Sequence, residues 1–174
     1  MKLLQVYHAD LLNGEGLREV LFFSGCDLRC PQCFNKEAQD PNYSMPDSHD
    51  WCEDDFNELV KNLRQPFISG TTILGGDGFS VYNRSGVLEL CKRLKETLPE
   101  KTIWLYTGYT WENIIKAKDE RTKCLKYIDV LCDGPFIAEL KSPEKPWVGS
   151  SNQRVIDVKK SLNKQNICLL SINY

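Results

Sequence analysis

Three cysteines fall within eight residues in the segment Gly25-Cys26-Asp27-Leu28-Arg29-Cys30-Pro31-Gln32-Cys33-Phe34-Asn35, spaced C-x3-C-x2-C. Thiols that close in sequence meet at one object only if the chain wraps around it. A cubic [4Fe–4S] cluster suits three soft ligands and leaves one iron without a protein ligand. An outside molecule can be held on that open iron. Two other chemistries fit the spacing. Structural zinc wants a fourth ligand, which Cys52 or His49 would have to supply from beyond a loop. Cys30-Pro31-Gln32-Cys33 alone is a C-x-x-C dithiol of the thioredoxin kind, and it leaves Cys26 without a role. A packing role for all three fits least, because loops are poor places to bury thiols.

The other five cysteines are Cys52, Cys91, Cys124, Cys132 and Cys168. They lie in apolar or helical sequence and read as buried thiols that pack like small hydrophobes. His8 and His49 read as surface or packed histidines. Glu53, Asp54, Asp55 and Glu58 read as the solvated first turns of a helix, not as a metal site.

The elements that position the cysteines follow from apolar pattern and glycine stops. Leu17 to Ser24 predicts a buried strand ended by Gly25, with the cysteines directly after it. Residues 40–50 predict a loop. A helix is expected from an Asp50 cap to about Leu63, with Phe56, Leu59, Val60 and Leu63 inward. A strand over Thr71 to Leu74 ends in Gly75-Gly76-Asp77-Gly78. A helix from about Ser85 to Leu98 places Val87, Leu88, Cys91 and Leu94 inward. Thr102 to Thr107 predicts a strand, then a helix capped by Thr110 that carries Trp111, Ile114 and Ile115. Ile128 to Cys132 predicts a strand closed by Asp133-Gly134-Pro135. Residues 135–153 read as irregular, and Arg154 to Val158 as one more strand. The apolar run Ile167 to Leu170 adds a strand or packs on the core.

Strands separated by single helices predict an α/β fold with a mostly parallel sheet. In such folds ligands bind at the carboxyl ends of the strands. The cysteine segment, GGDG, TGYT and CDGP are all expected at that edge. The 174 residues are too few for a complete eight-stranded βα barrel of about 250 residues, which favours an incomplete, partial barrel or an open sheet.

Composition sets the class. Hydrophobic residues make up 41% and charged residues 26%, with a formal net charge of −2. No basic excess is present to neutralise a phosphate backbone, so no nucleic-acid partner is expected. No apolar run approaches the length of a membrane span, and the N-terminus lacks the apolar stretch of a secretory signal. A cytoplasmic protein of one domain is expected, without a membrane partner.

C-x3-C-x2-C followed by an aromatic residue, at the end of a buried strand of a βα chain, resembles the radical S-adenosylmethionine (SAM) superfamily. Within it the chain resembles the activating enzymes of anaerobic ribonucleotide reductases. The matching segments are Asn13-Gly14-Glu15-Gly16, Gly25 to Lys36, Gly75-Gly76-Asp77, Ile103 to Tyr109, Val130 to Gly134, and Gly149-Ser150-Ser151-Asn152-Gln153. Gly78, Glu15, Phe34 and Val148 depart from the usual family residues. None of them is a proposed cluster ligand.

The resemblance implies one radical SAM domain over 1–174, with about 161–174 as a C-terminal extension. It implies that Cys26, Cys30 and Cys33 bind one [4Fe–4S] cluster, whose open iron takes the amino and carboxylate groups of SAM. Gln32, Phe34, Gly75, Gly76 and Asp77 are then the expected SAM contacts, with Phe34 in the core as the alternative. No catalytic residue is implied beyond the cluster and SAM. The implied reaction is reductive cleavage of SAM and removal of hydrogen from a glycine of an anaerobic ribonucleoside-triphosphate reductase. An electron donor such as flavodoxin is implied with it. The alternatives are an activase of another glycyl radical enzyme, of the formate-lyase type, and a zinc-stabilised binding module. Trp104-x-x-Thr107-Gly108-Tyr109 and the Gly149–Gln153 segment argue against the formate-lyase type. Trp104, Tyr106 and Tyr109 read as packing rather than catalytic. Asp133 reads equally as a SAM or cation contact and as a turn residue. The Gly149–Gln153 loop reads as a binding segment.

Overall fold

The computed structural model describes residues 1–171. Their backbone forms one seven-stranded mixed sheet, with β1 (Lys2–Asp10), β2 (Leu17–Phe23), β3 (His49–Asp50), β4 (Ile68–Gly75), β5 (Thr102–Tyr106), β6 (Val130–Asp133) and β7 (Arg154–Asp157). The order is β3-β1-β2-β4-β5-β6-β7. The centre β2-β4-β5-β6 is parallel, as the βα pattern predicts, while β1, β3 and β7 join antiparallel at its flanks. The fold is therefore α/β.

The helices are α1 (Glu53–Leu63), α2 (Arg84–Thr97), α3 (Trp111–Ala117), α4 (Glu120–Cys124) and α5 (Val158–Lys164). Side chains alternate across a strand, so β5 sends Ile103 and Leu105 to one face and Trp104 to the other. The first pair joins the main core with Leu59 and Leu63 of α1, Val87 and Leu94 of α2, and Ile114 of α3. Trp104 packs with Val130 and Cys132 against Trp147, Val148, Val155 and Leu170, so the segment after β6 and the tail cover the second face. Arg18 is fully buried on that face. Its guanidinium donates to the Thr72 and Thr102 hydroxyls and to the Glu15, Thr71 and Thr102 carbonyls.

Several boundaries differ from the sequence expectation for local reasons. β1 was not expected: its Tyr7, His8 and Ala9 are exposed, so its apolar signal is confined to Leu3 and Leu4. Asp50 does not cap α1, because it pairs with Lys2 in β3. Cys52 takes the cap position, and its N–H donates to Asp55. Leu90, rather than Leu88, is buried on α2. Thr110 caps α3 as expected, accepting from the Asn113 N–H. Residues 167–170 do pack: Ile167 touches the core and the Leu170 N–H donates to Val155. The last three residues of the expected extension, 172–174, lie outside the described residues. Among the described residues no helix is long and apolar enough to cross a membrane.

Candidate functional site

All four strand-end loops reach one cavity of about 680 Å³. Its wall takes Cys26, Cys30 and Cys33 from the loop after β2, Gly75, Gly76 and Asp77 after β4, Thr107 and Gly108 after β5, and Gly134 after β6. This is the carboxyl edge of the parallel strands, where α/β folds hold ligands.

The loop after β2 is fixed at its two ends. Gly25 has φ +96°, a conformation that glycine adopts freely. Its N–H donates to the Ala38 carbonyl, and the Cys26 N–H donates to Gln39. Between these anchors Arg29 and Gln32 turn through positive φ, which curls the chain and brings all three thiols to the cavity. The Tyr109 hydroxyl donates to Asp27 at 2.6 Å, with the Arg121 guanidinium 4.5 Å from the Tyr109 ring centroid. Tyr109 thus holds the loop instead of merely packing. Cys26 is buried, while Cys30 and Cys33 are half-buried, and all are free thiols. Burial, with Asp77 nearby, pushes the Cys26 thiol up to about 11. Burial and the adjacent Cys33 raise the Cys30 thiol. These two thiols keep their protons at neutral pH in the metal-free chain, so metal binding must expel them.

The opposite wall is a closed hydrogen-bond mesh. Asp77 is 4% exposed. One carboxylate oxygen accepts the Phe79 N–H at 2.7 Å, the other accepts the Gly108 N–H at 2.8 Å, and the Thr107 hydroxyl reaches both. Burial pushes Asp77 up to about 6 in spite of these bonds. Gly25 O gathers the Asp77 N–H, the Ser80 hydroxyl and the Asn83 amide. Asn83 also donates to Ser24 and to the Asp77 carbonyl. Asn83 is fully buried and ties the root of the cysteine loop to the GGDG turn. Sequence reasoning passed it over, and only its place before α2 marks it out.

The expected contact residues divide. Gly75, Gly76, Asp77 and Phe34 line the cavity, while Gln32 is exposed and outside the wall. Phe34 is 94% exposed, which overturns core packing for its ring. The two glycines answer to backbone as well as to any ligand. A Cβ on Gly76 would lie 2.5 Å from the Gly25 carbonyl oxygen and 2.6 Å from that of Ala38. Asp133 ends β6 away from the cavity wall: fully buried, it accepts from Arg154 and from the Trp111 N–H. Gln153 accepts the Gly149 and Ser150 N–H groups and donates to Gly134 O, so the Gly149–Gln153 loop is clamped to the β6 turn at the cavity wall. Cys91, Cys124 and Cys132 are buried as expected, but Cys52 is exposed and Cys168 only half-buried.

Residues 12–156 match the family model described as a 4Fe-4S single cluster domain. The chain is 38% identical over 151 residues to an anaerobic ribonucleoside-triphosphate reductase-activating protein of Vibrio cholerae, covering 86% of this chain and 93% of the relative. It is 35% identical over 151 residues to the protein of that name from Enterobacteria phage T4, covering 87% and 90%. For the one from Escherichia coli the identity is 36% over 153 residues, covering 87% and 95%.

Proposed function

Because the chain belongs to the family of anaerobic ribonucleoside-triphosphate reductase-activating proteins and carries a 4Fe–4S single cluster domain, we propose that it is a radical SAM glycyl-radical activase. Its partner on this proposal is the glycyl radical subunit of an anaerobic ribonucleoside-triphosphate reductase. The carrying observation is the convergence of Cys26, Cys30 and Cys33 on the cavity that also receives the strand ends. The donor set fits the group: three free thiols on one curled loop suit three irons of a cube and supply no fourth ligand.

Cluster and SAM, held here, would supply one-electron reductive chemistry for removing a hydrogen atom from the partner's glycine. The residues of this chain bind and orient. Cys26, Cys30 and Cys33 hold the cluster. Gly75 and Gly76 form the wall at which SAM lies, and Phe34 offers an uncovered ring to its adenine. Gln32 contributes by its backbone beside Phe34. Asp77 acts indirectly, by holding Gly108 and Thr107 against the GGDG turn. The electron comes from a donor of the flavodoxin type. On the same proposal residues 1–174 are one radical SAM domain, about 161–174 its C-terminal extension, the sheet an incomplete barrel and the cytoplasm its location.

Air-free mixing with SAM, a reductant and the partner reductase tests the proposal by electron paramagnetic resonance. A glycyl radical signal is expected, dependent on SAM and absent with Cys30→Ala. No signal from a fully iron-loaded chain would contradict it.

A further inference from the structure

A second group of metal-type donors stands at the edge of the sheet. His49 opens β3, Cys52 precedes α1, and Asp55 lies in the first turn of α1. One ligand atom from each lies within 4.8 Å of the other two. None of the three lines the cavity that holds Cys26, Cys30 and Cys33. The sequence read His49 as a surface or packed histidine, Cys52 as a packed thiol or a remote partner for those cysteines, and Asp55 as solvated, and the fold instead brings the three to each other.

The ring of His49 is oriented as a metal-bound imidazole is. Its Nδ1 lies 2.9 Å from the Asp47 carbonyl oxygen. A carbonyl only accepts, so Nδ1 carries a hydrogen, and the neutral ring presents a lone pair at Nε2. Ligating histidines characteristically donate their other ring N–H to a backbone carbonyl or carboxylate in this way. Nε2 faces Asp55 Oδ1 at 2.8 Å. Two lone pairs do not meet at that separation, so a proton sits on Nε2 in the metal-free chain, and an ion bound by both atoms would displace it. The second oxygen, Asp55 Oδ2, accepts the Cys52 N–H at 2.8 Å, which fixes the carboxylate beside the cysteine. Cys52 is an exposed free thiol, and a metal-bound thiolate there stands at the positive end of the α1 dipole. One thiolate, one imidazole and one carboxylate form a borderline donor set that suits zinc over magnesium or calcium.

We propose that His49, Cys52 and Asp55 bind one divalent zinc-type ion, with water in the remaining position. The ion pins edge strand β3 to the start of α1. Binding replaces the Cys52 S–H bond with a sulfur–zinc bond and the proton held between His49 Nε2 and Asp55 with the ion, and releases both protons to water. The site is independent of the cluster.

The test uses the cluster-loaded protein, given zinc air-free, then desalted and assayed for zinc and iron. Zinc K-edge absorption reads the ligand types. About one zinc per chain is expected, with a single sulfur in its shell. Cys52→Ser and His49→Gln should each weaken zinc retention at least about tenfold and leave iron unchanged. Serine is a favoured cap residue, so Cys52→Ser keeps α1, which circular dichroism checks. A variant with Cys26, Cys30 and Cys33 all replaced by Ala should still hold its zinc. The proposal is overturned by zinc that persists in Cys52→Ser, by zinc that disappears with the three cluster cysteines, or by no zinc retained at all.

Discussion

The two walls of the cavity are built on opposite terms. On the strand-end wall, Asp77, Ser80, Asn83 and Thr107 are buried and bonded to one another's loops. On the cysteine wall, residues 27–34 are mostly exposed or half-exposed, and the main internal tie is the Cys33 N–H to the Cys30 carbonyl at 3.3 Å. The first wall is complete as polypeptide. The second is curled by backbone conformation and anchored at its ends, and it presents sulfur rather than using it. Folding energy is spent on the first wall, while the second presents its sulfurs on a loop with few internal bonds.

The sharpest way to test that contrast is to remove a sulfur. Cys26→Ala, Cys30→Ala and Cys33→Ala should each reduce iron from about four per chain to little or none. The metal-free chains should still unfold within about 1–1.5 kcal/mol of the parent, since the sulfurs make only a few weak contacts to backbone, as from Leu28 and Arg29 to Cys26. Iron analysis with urea melts of the metal-free forms checks both halves. Unfolded metal-free variants would erase the distinction.

Gly76→Val should do the reverse. The added side chain meets the Gly25 and Ala38 carbonyls, and overpacking of this kind costs about 1–3 kcal/mol. Metal-free stability should fall before any SAM is added. Unchanged stability with weakened SAM binding would give Gly76 a ligand role alone, as the sequence first implied.

Asp77→Asn turns an amide NH2 toward the Phe79 or Gly108 N–H, at a cost of about 1–3 kcal/mol for the unmet donors. Phe34→Ala, on the other wall, should change metal-free stability by less than about 0.5 kcal/mol. Thermal melts of the pair rank the walls directly.

The smallest effect is a titration. Asp77 should titrate near 6, held up by burial. Its folded pKa exceeds the unfolded value of about 3.9, so its contribution to stability grows as pH falls from above 6 toward 4. Asp119, held below the usual carboxylate range chiefly by its hydrogen bonds with Arg121, runs the other way: its contribution is lost as pH falls. Carbon-detected NMR of the carboxylates separates the two. An ordinary midpoint for Asp77 would mean that water reaches this wall.

What the sequence disclosed follows from range. β2, β4, β5, β6 and β7 announce themselves by apolar runs that end in Gly, Asp or Pro, and Thr110 by its place before Trp111. β1 stayed hidden because its exposed half carries no apolar period, and α4 because five residues, Glu120–Cys124, give too short a pattern. Cys26, Cys30 and Cys33 were legible because all three lie within eight residues of one loop. Asn83 was not, since its partners Ser24 and Gly25 are set by packing across the sheet. The meeting of His49 with Asp55, only six residues on, was missed for another reason: residues 40–50 read as loop and Asp55 as a solvated helix turn.

On the proposed function one iron of the cluster has no protein ligand and takes SAM. Air-free reconstitution followed by electron paramagnetic resonance of the reduced cluster, with and without SAM, addresses it most directly. A cube on Cys26, Cys30 and Cys33 whose spectrum shifts when SAM is added is the predicted result. A fully formed cube that is indifferent to SAM, or no cube on these sulfurs, would contradict it.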